Sequence, residues 1–494
     1  MPEIHRRKDY LPITPILNIF ARYSRNMAKE NKDHLLSLLR DNLTMTGWQQ
    51  FRLVVLLAVP AILAQFSSVI LQYIDTAMVG HLGANPSASI GLISTSTWLC
   101  NGFFFAVISG FSVQVAHRCG AKDFSNAKTI VRQGLFTIVL FTIVLALIAI
   151  SIARPLPSWL GGTPEINPDA SKYFMIYAAF MPIGAVGYSA SSMLQASGNM
   201  KVPSLLYVSM GVLDVIFNYI FIYVCDMGVA GAALGTGVAE VMASIFAVWY
   251  LTCRSKELSF KGESGSYIPT RKVLQNTMGI TGPMWLQNIV MRGAFLASTI
   301  IIAPLGAVSI AANSFAINAE SFCYMPGYGL QDAASTLVGQ SLGAKRKRLA
   351  KRFAWIAIGL ASLLMSFLAV FMYIFAPQIM RILSIDDGIV SLGAKVLRIE
   401  AFAETLYAVS IVAYGACVGA GKTLVPTVLN FCSMWLVRIG LALVLTPKLG
   451  LTGYWIAMCV ELNIRGVLFL IHMRGDKWMK SKLDDDSVKL VAPD

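Results

Sequence analysis

Three carboxylates stand where a carboxylate is costly. Asp75 closes an apolar run in "LQYIDTAMVGHLG", Asp214 lies within "LDVIFNYIFIY", and Glu240 within "GTGVAEVMASIF". A charge at the middle of a bilayer costs about 2.5 to 3.5 kcal/mol on insertion scales, so each needs a partner, water or a function. Asp214 and Asn218 are four residues apart, which sets a carboxylate and an amide one turn apart on one helix face. Such oxygen donors suit a hard cation. Two carboxyls brought together can equally well hold and release a shared proton.

A second acidic set, Glu320, Asp332, Glu400, Glu404 and Glu461, occurs later in the chain, accompanied by Arg292, Arg398, Arg438 and Arg465. Glu461 and Arg465 are four apart and Arg438 lies on the preceding apolar segment at similar depth, so mutual neutralisation is expected there. The earlier set has no Lys or Arg well inside its segments. Its counter-ion must be a proton, a metal cation or a cationic substrate. Tyr73, Phe103, Phe104, Phe105, Tyr177, Tyr188 and Trp285 are candidate cleft aromatics whose π faces would suit flat organic cations.

The elements that must position these residues follow from composition. The 494 residues are 56% hydrophobic and 13% charged, with mean hydropathy +0.64, a balance far from that of a soluble domain. Apolar windows of bilayer length recur at 53–77, 88–115, 130–153, 171–195, 203–224, 228–251, 276–303, 308–335, 353–375, 393–417, 425–446 and 451–473. They predict an all-α polytopic membrane protein of twelve transmembrane helices, because long segments without alternating polarity satisfy their amides only as helices. Of the Lys and Arg outside these spans, 31 fall on one side of the membrane and 5 on the other. The positive-inside rule then predicts a multi-pass plasma-membrane protein with both termini in the cytoplasm. The net charge of +14 reads as orientation and anionic-lipid contact, not nucleic-acid binding.

Aligning the chain with itself exposes a repeat. Pro60 falls on Pro283, "HLG" at 81 on "PLG" at 304, "CGAK" at 119 on "LGAK" at 342 and Pro203 on Pro426, always 223 residues on. "GVAG" at 228 meets "GLTG" at 450 one residue out of step. The expected organisation is an N-terminal extension 1–47, an N-lobe 48–251, a basic loop 252–274, a C-lobe 275–474 and a tail 475–494. Each lobe has six helices, so the halves are related by an axis along the membrane normal, as in secondary transporters that rock one lobe against the other. Pro60 and Pro283 lie inside the first helix of each repeat, where a bend or a static kink is permitted.

Other chemistries find little support. The eight cysteines are scattered without a CxxC pair and read as packing residues, and the five histidines lie in tails, loops or helix ends. "GACVGAGKT", 415–423, resembles a Walker loop but has Ala416 where glycine is required and no preceding strand. No enzyme and no cofactor beyond a coupling cation is expected. The first 46 residues show no cleavable signal pattern.

The strings "YIDTAMVGHLG", "LQASGNMKVPS", "MGVAGAALGTG", "YMPGYGLQDAASTLVGQSLGA" and "MWLVRIGLALVL" resemble the multidrug and toxic compound extrusion (MATE) family, especially its DinF-like branch. The resemblance implies a V-shaped pair of lobes acting as a monomer that exports organic cations in exchange for H⁺ or Na⁺. It implies a cation site in the N-lobe at Asp75, Asp214 and Thr236, the residues that would hold any Na⁺. The family's asparagine one turn before the second aspartate is Met210 here, a thioether that weakens a sodium site more than a proton site. Met291 and Arg292 stand where some relatives carry a seventh-helix acid. Glu240, Glu320, Glu400, Glu404 and Arg292 are secondary candidates for ion or substrate contact. A lipid-linked saccharide flippase of the same superfamily would instead use Arg292 and Arg438 on a lipid phosphate, and a channel or receptor would need no mobile halves.

Overall fold

The computed structural model describes residues 32–261 and 265–480. The expected extension lies outside the described residues up to residue 31, and the expected tail beyond residue 480. Among the described residues there are helices and no strands. Lobe one contains α1 (Gly47–Gly80), α2 (Ala84–Gly120), α3 (Phe124–Ile152), α4 (Asn167–Ala196), α5 (Lys201–Val224) and α6 (Gly228–Arg254). Lobe two contains α7 (Arg271–Leu305), α8 (Ala307–Gly343), α9 (Lys347–Leu383), the two-part α10 (Asp387–Glu400 with Glu404–Gly419), α11 (Leu424–Leu449) and α12 (Leu451–Arg474).

Ten of these are single helices long and apolar enough to span a bilayer. The other two differ for physical reasons. α8 is 37 residues long but carries Glu320, Gln331, Asp332 and Gln340, a polarity it can bear because it packs against α1 and α2 of lobe one and α9 and α10 of its own lobe. α10, expected to be one continuous span, instead bends by 61° between Glu400 and Glu404. The broken stretch "EAFAE" has neither proline nor glycine, so nothing local announces the break.

The duplication is written into the backbone. Gly83 and Gly306 have φ of +113° and +87°, Lys122 and Lys345 of +59° and +58°, and Gly198 and Gly421 of +90° and +71°, each pair at the repeat offset. Gly228 and Gly450, at +52° and +62°, are one residue out of step, as their sequence motifs are. Left-handed turns recur because each repeat ends the same helices in the same way.

Hydrogen bonds join the lobes along one half of their length, the half bearing the basic loops. Thr281 Oγ1 donates to the Ala106 carbonyl at 3.0 Å, Trp285 Nε1 to that of Phe103 at 2.8 Å and Asn288 Nδ2 to that of Gly102 at 3.2 Å. Nearer the basic end, Gln114 Nε2 donates to Thr277 Oγ1 at 2.9 Å, Gln340 Nε2 to the Ala196 carbonyl at 2.7 Å, and His117 Nε2 contacts the Gly419 carbonyl at 2.9 Å. A Cβ on Gly120 would fall on the Gln340 carbonyl and one on Gly343 on the His117 carbonyl, so here the two lobes meet backbone to backbone. Among the described residues no lobe-to-lobe hydrogen bond lies in the outer half beyond Gly102 and Asn288.

In lobe two the charges neutralise one another as expected. Glu461, fully buried, accepts from Arg438 Nε and Nη2 at 3.0 and 2.7 Å and from Arg465 Nε at 2.7 Å. Ser433 Oγ takes a further bond from Arg465 at 3.3 Å. A carboxylate between two guanidinia is the only one of the three that touches both. Replacing Glu461 by Gln strands two buried cations, so a loss of about 3 to 5 kcal/mol is expected. Thermal unfolding in detergent should show a large drop in Tm for Glu461→Gln, whereas an Asn463→Gln control stays close to the parent.

Candidate functional site

The lobe-one acids meet because glycines let three helices approach. On α5, Met210, Asp214 and Asn218 recur every four residues and share a face. A Cβ on Gly211 would collide with Leu71 of α1, and one on Gly235 of α6 would come within 2.8 Å of the Asn218 backbone nitrogen. α1 and α6 therefore press on α5 at the turns that carry the acids. Beyond Asn218 the helix widens into a π segment, Ile220–Val224, and Tyr223 there donates its hydroxyl to the Met78 carbonyl of α1 at 2.7 Å.

Asn218 is the centre of the site. Its Nδ2 donates to Asp75 Oδ1 and to Asp214 Oδ1, both at 3.1 Å, so one amide bridges two carboxyls from different helices. Two carboxyls from different helices thus stand side by side on one amide, with Thr236 of α6 next to Asp214. Asp214 and Asn218 are buried, whereas Asp75 is partly exposed. Asn218 Oδ1 is buried without a hydrogen-bond partner. Asp75 arrives on the Asn218 side of Asp214, so the amide lies between the acids.

The remaining candidates separate into groups. Met210 and Glu240 line a cavity of about 20 Å³, room for one water, with Tyr188, Ser191, Tyr207 and Ser244. Glu240 packs on α4 at Gly184, where a Cβ would lie 2.6 Å from Oε2. Glu320, Glu400 and Glu404 are buried around the break in α10, and among the described residues neither oxygen of Glu400 or of Glu404 has a hydrogen-bond partner. Arg292 lies with its guanidinium 5.2 Å from the ring centre of Trp98, across the lobe boundary.

Several expected cleft aromatics are instead structural. Trp285 is committed to Phe103, ring to ring at 6.1 Å and through its indole bond, and the Tyr177 hydroxyl donates to Asn101 Oδ1 at 2.6 Å. Phe104 is buried. Tyr73 is the exception, stacked at 5.7 Å on Phe322 of the facing lobe, two residues from Asp75. Gly211 and Gly235, which set the spacing of the whole site, were passed over in the sequence. The small-residue run "GVAGAALGTG" was the signal for Gly235, while Gly211, in "SMGVLD", had none.

Comparison with known proteins fits this geometry. The MatE family profile matches twice, at residues 60–220 and 283–444, once per repeat. The chain is 26% identical over 440 residues to the probable multidrug resistance protein NorM of Thermotoga maritima, covering 86% of this chain and 92% of that one. It is 25% identical over 443 residues to the multidrug resistance protein MdtK of Yersinia pestis, covering 86% and 95%. A crystal structure of an aspartate-to-asparagine mutant of the Vibrio cholerae MATE transporter VcmN superposes with a TM-score of 0.83 at 19% identity, over 89% of this chain and 99% of that one. A transporter of the wider superfamily from Pyrococcus furiosus gives 0.82 at 19% identity, over 89% and 97%. With both repeats matched and the two-lobed fold in place, the chain belongs to the MatE family of membrane transporters.

Proposed function

We propose that this protein exports amphipathic organic cations across the plasma membrane in exchange for protons, with Asp75, Asp214, Asn218 and Thr236 holding the proton. The observation that carries this reading is the amide bridge between two carboxyls with, among the described residues, no cationic side chain hydrogen-bonded to either. An uncompensated acid pair in a low-dielectric lobe is a site that can be neutralised by a proton or by a cationic cargo, and the two then compete. Its competition is coupling: protonating the pair removes the charge that holds the cargo, and cargo entry favours deprotonation.

A proton fits better than sodium. The amide turns its N–H donors, not its oxygen, toward both carboxyls, whereas a hard cation held between them would need that oxygen. Met210 offers no oxygen in compensation. The basic end faces the cytoplasm by the positive-inside rule, and Asp75, near the other end of α1, then lies toward the outside, the face from which protons enter. The multidrug names of the relatives support the cargo class. The flippase reading loses its anchors, because Arg438 is bound to Glu461 and Arg292 lies on Trp98.

In proteoliposomes, efflux of an organic-cation dye driven by a pH gradient should disappear in Asp75→Asn and in Asp214→Asn; unchanged efflux in either would remove the assignment. Asn218→Leu keeps the volume but loses the bridge, and is expected to slow coupled efflux while leaving the protein folded. Imposing the gradients separately decides the ion: ΔpH alone should drive efflux, and a sodium gradient at equal pH should not.

A further inference from the structure

The chain ahead of α1 was expected to be a plain cytoplasmic extension, yet residues Lys32–Arg40 form a helix that lies across the joint between the lobes. Its apolar stripe, Leu35, Leu36 and Leu39, is almost completely buried. It shares one cluster with Leu53, Val54 and Leu57 of α1, Met200 at the start of α5, Leu337 and Leu342 of α8 and Phe353 of α9. Residues of both lobes thus bury the same three leucines. Leu36 rests on Gly198, whose φ of +90° and lack of a side chain let the α4–α5 turn come this close.

The polar contacts are distributed in the same way. Arg40 Nη2 donates to the Ser197 carbonyl of lobe one at 2.7 Å, Nε to Gln340 Oε1 of lobe two at 3.2 Å, and Nη1 to Glu257 of the inter-lobe segment at 3.2 Å. Arg346 of lobe two donates to the Leu38 and Leu39 carbonyls at 3.0 and 3.2 Å, satisfying the helix C-terminus. Asp33 pairs with Lys256 at 2.6 Å and Asp41 pairs with Lys122 of lobe one. A guanidinium has a rigid fork of fixed reach. It cannot keep both the Ser197 carbonyl and Gln340 once the lobes part at this end.

We propose that the helix Lys32–Arg40 is a strap that holds the basic end closed and must release one lobe before that end can open. It rests on the two-state access of the proposed transport cycle, but not on the cargo or on the coupling ion. The docked strap weights the balance toward the closed basic end, so its anchors set how often the cytoplasmic side is open. Because Arg40 bonds both lobes directly, its removal acts on that balance without touching Asp75, Asp214 or Asn218.

The strap is tested by the reactivity of Cys119 and Cys417, both buried beside the joint and read separately by peptide mapping after maleimide treatment of the full chain in nanodiscs. Arg40→Ala should raise their labelling rates about tenfold, the effect of losing a charge-assisted hydrogen bond. Arg40→Lys, which keeps the charge but not the fork, should fall between. Gly343→Val, which forces side chain into the backbone contact at the joint, is the positive control for opening. If Gly343→Val raises labelling and both Arg40 variants match the parent, the strap is overturned. Loss of dye efflux in Asp75→Asn, or its persistence, judges the transport reading alone and leaves this result standing.

Discussion

A carboxyl in a medium that cannot solvate it must be given a partner, and the two lobes of this protein meet that demand in opposite ways. In lobe one Asp75 and Asp214 share the amide of Asn218. In lobe two Glu461 is held between Arg438 and Arg465. The lobe-one cluster joins α1 to the fifth helix, the lobe-two cluster sits on the fifth and sixth helices of its repeat, α11 and α12, and in both the fifth helix widens into a π segment beside the polar cluster. One duplicated scaffold therefore carries an acid pair bridged by an amide and, in its counterpart, an acid held between two arginines. The closed cluster gives lobe two a rigid core, since no group in it can leave without stranding another.

That electrostatic asymmetry needs a mechanical frame, and glycine supplies much of it. Gly211 and Gly235 bring α1 and α6 against α5, while Gly120 and Gly343 bring α2 and α8 together at the basic end. Contacts through backbone are short and leave no side chain to deform, so the joint is either made or broken rather than gradually loosened. Among the described residues the lobe-to-lobe hydrogen bonds lie in one half of the molecule, while in the other half the lobes touch through Tyr73 on Phe322 and Arg292 on Trp98. The strap helix adds a third body to the joint, buried by both lobes and bonded to both through Arg40.

Much was legible in the linear chain. Twelve apolar spans, the repeat, the bias of basic loops and the partnership of Glu461 with Arg465 follow from composition and local spacing, because hydrocarbon permits only helices and i,i+4 residues always meet on one. Even the single-residue slip between "GVAG" and "GLTG" reappears in the φ angles of Gly228 and Gly450. The unmarked break in α10 was not legible: Glu400 and Glu404 are buried by neighbouring helices, and only that tertiary surrounding tolerates an interrupted ladder at this depth.

The sequence by itself determined that lobe one holds acids without cations, since residue identity and hydropathy alone decide which charges enter a membrane helix. Which acids touch, and through what, was decided by tertiary structure. Asp75 and Asp214 are 139 positions apart in the chain. Their approach depends on two glycines that let α1 and α6 close on α5, and Asn218 became the bridge because Asp75 comes in on its side of Asp214. The strap followed the same rule. A nine-residue amphipathic helix is too short to be stable alone, and it exists because two lobes present a shared apolar groove and a set of carbonyls that one arginine can reach.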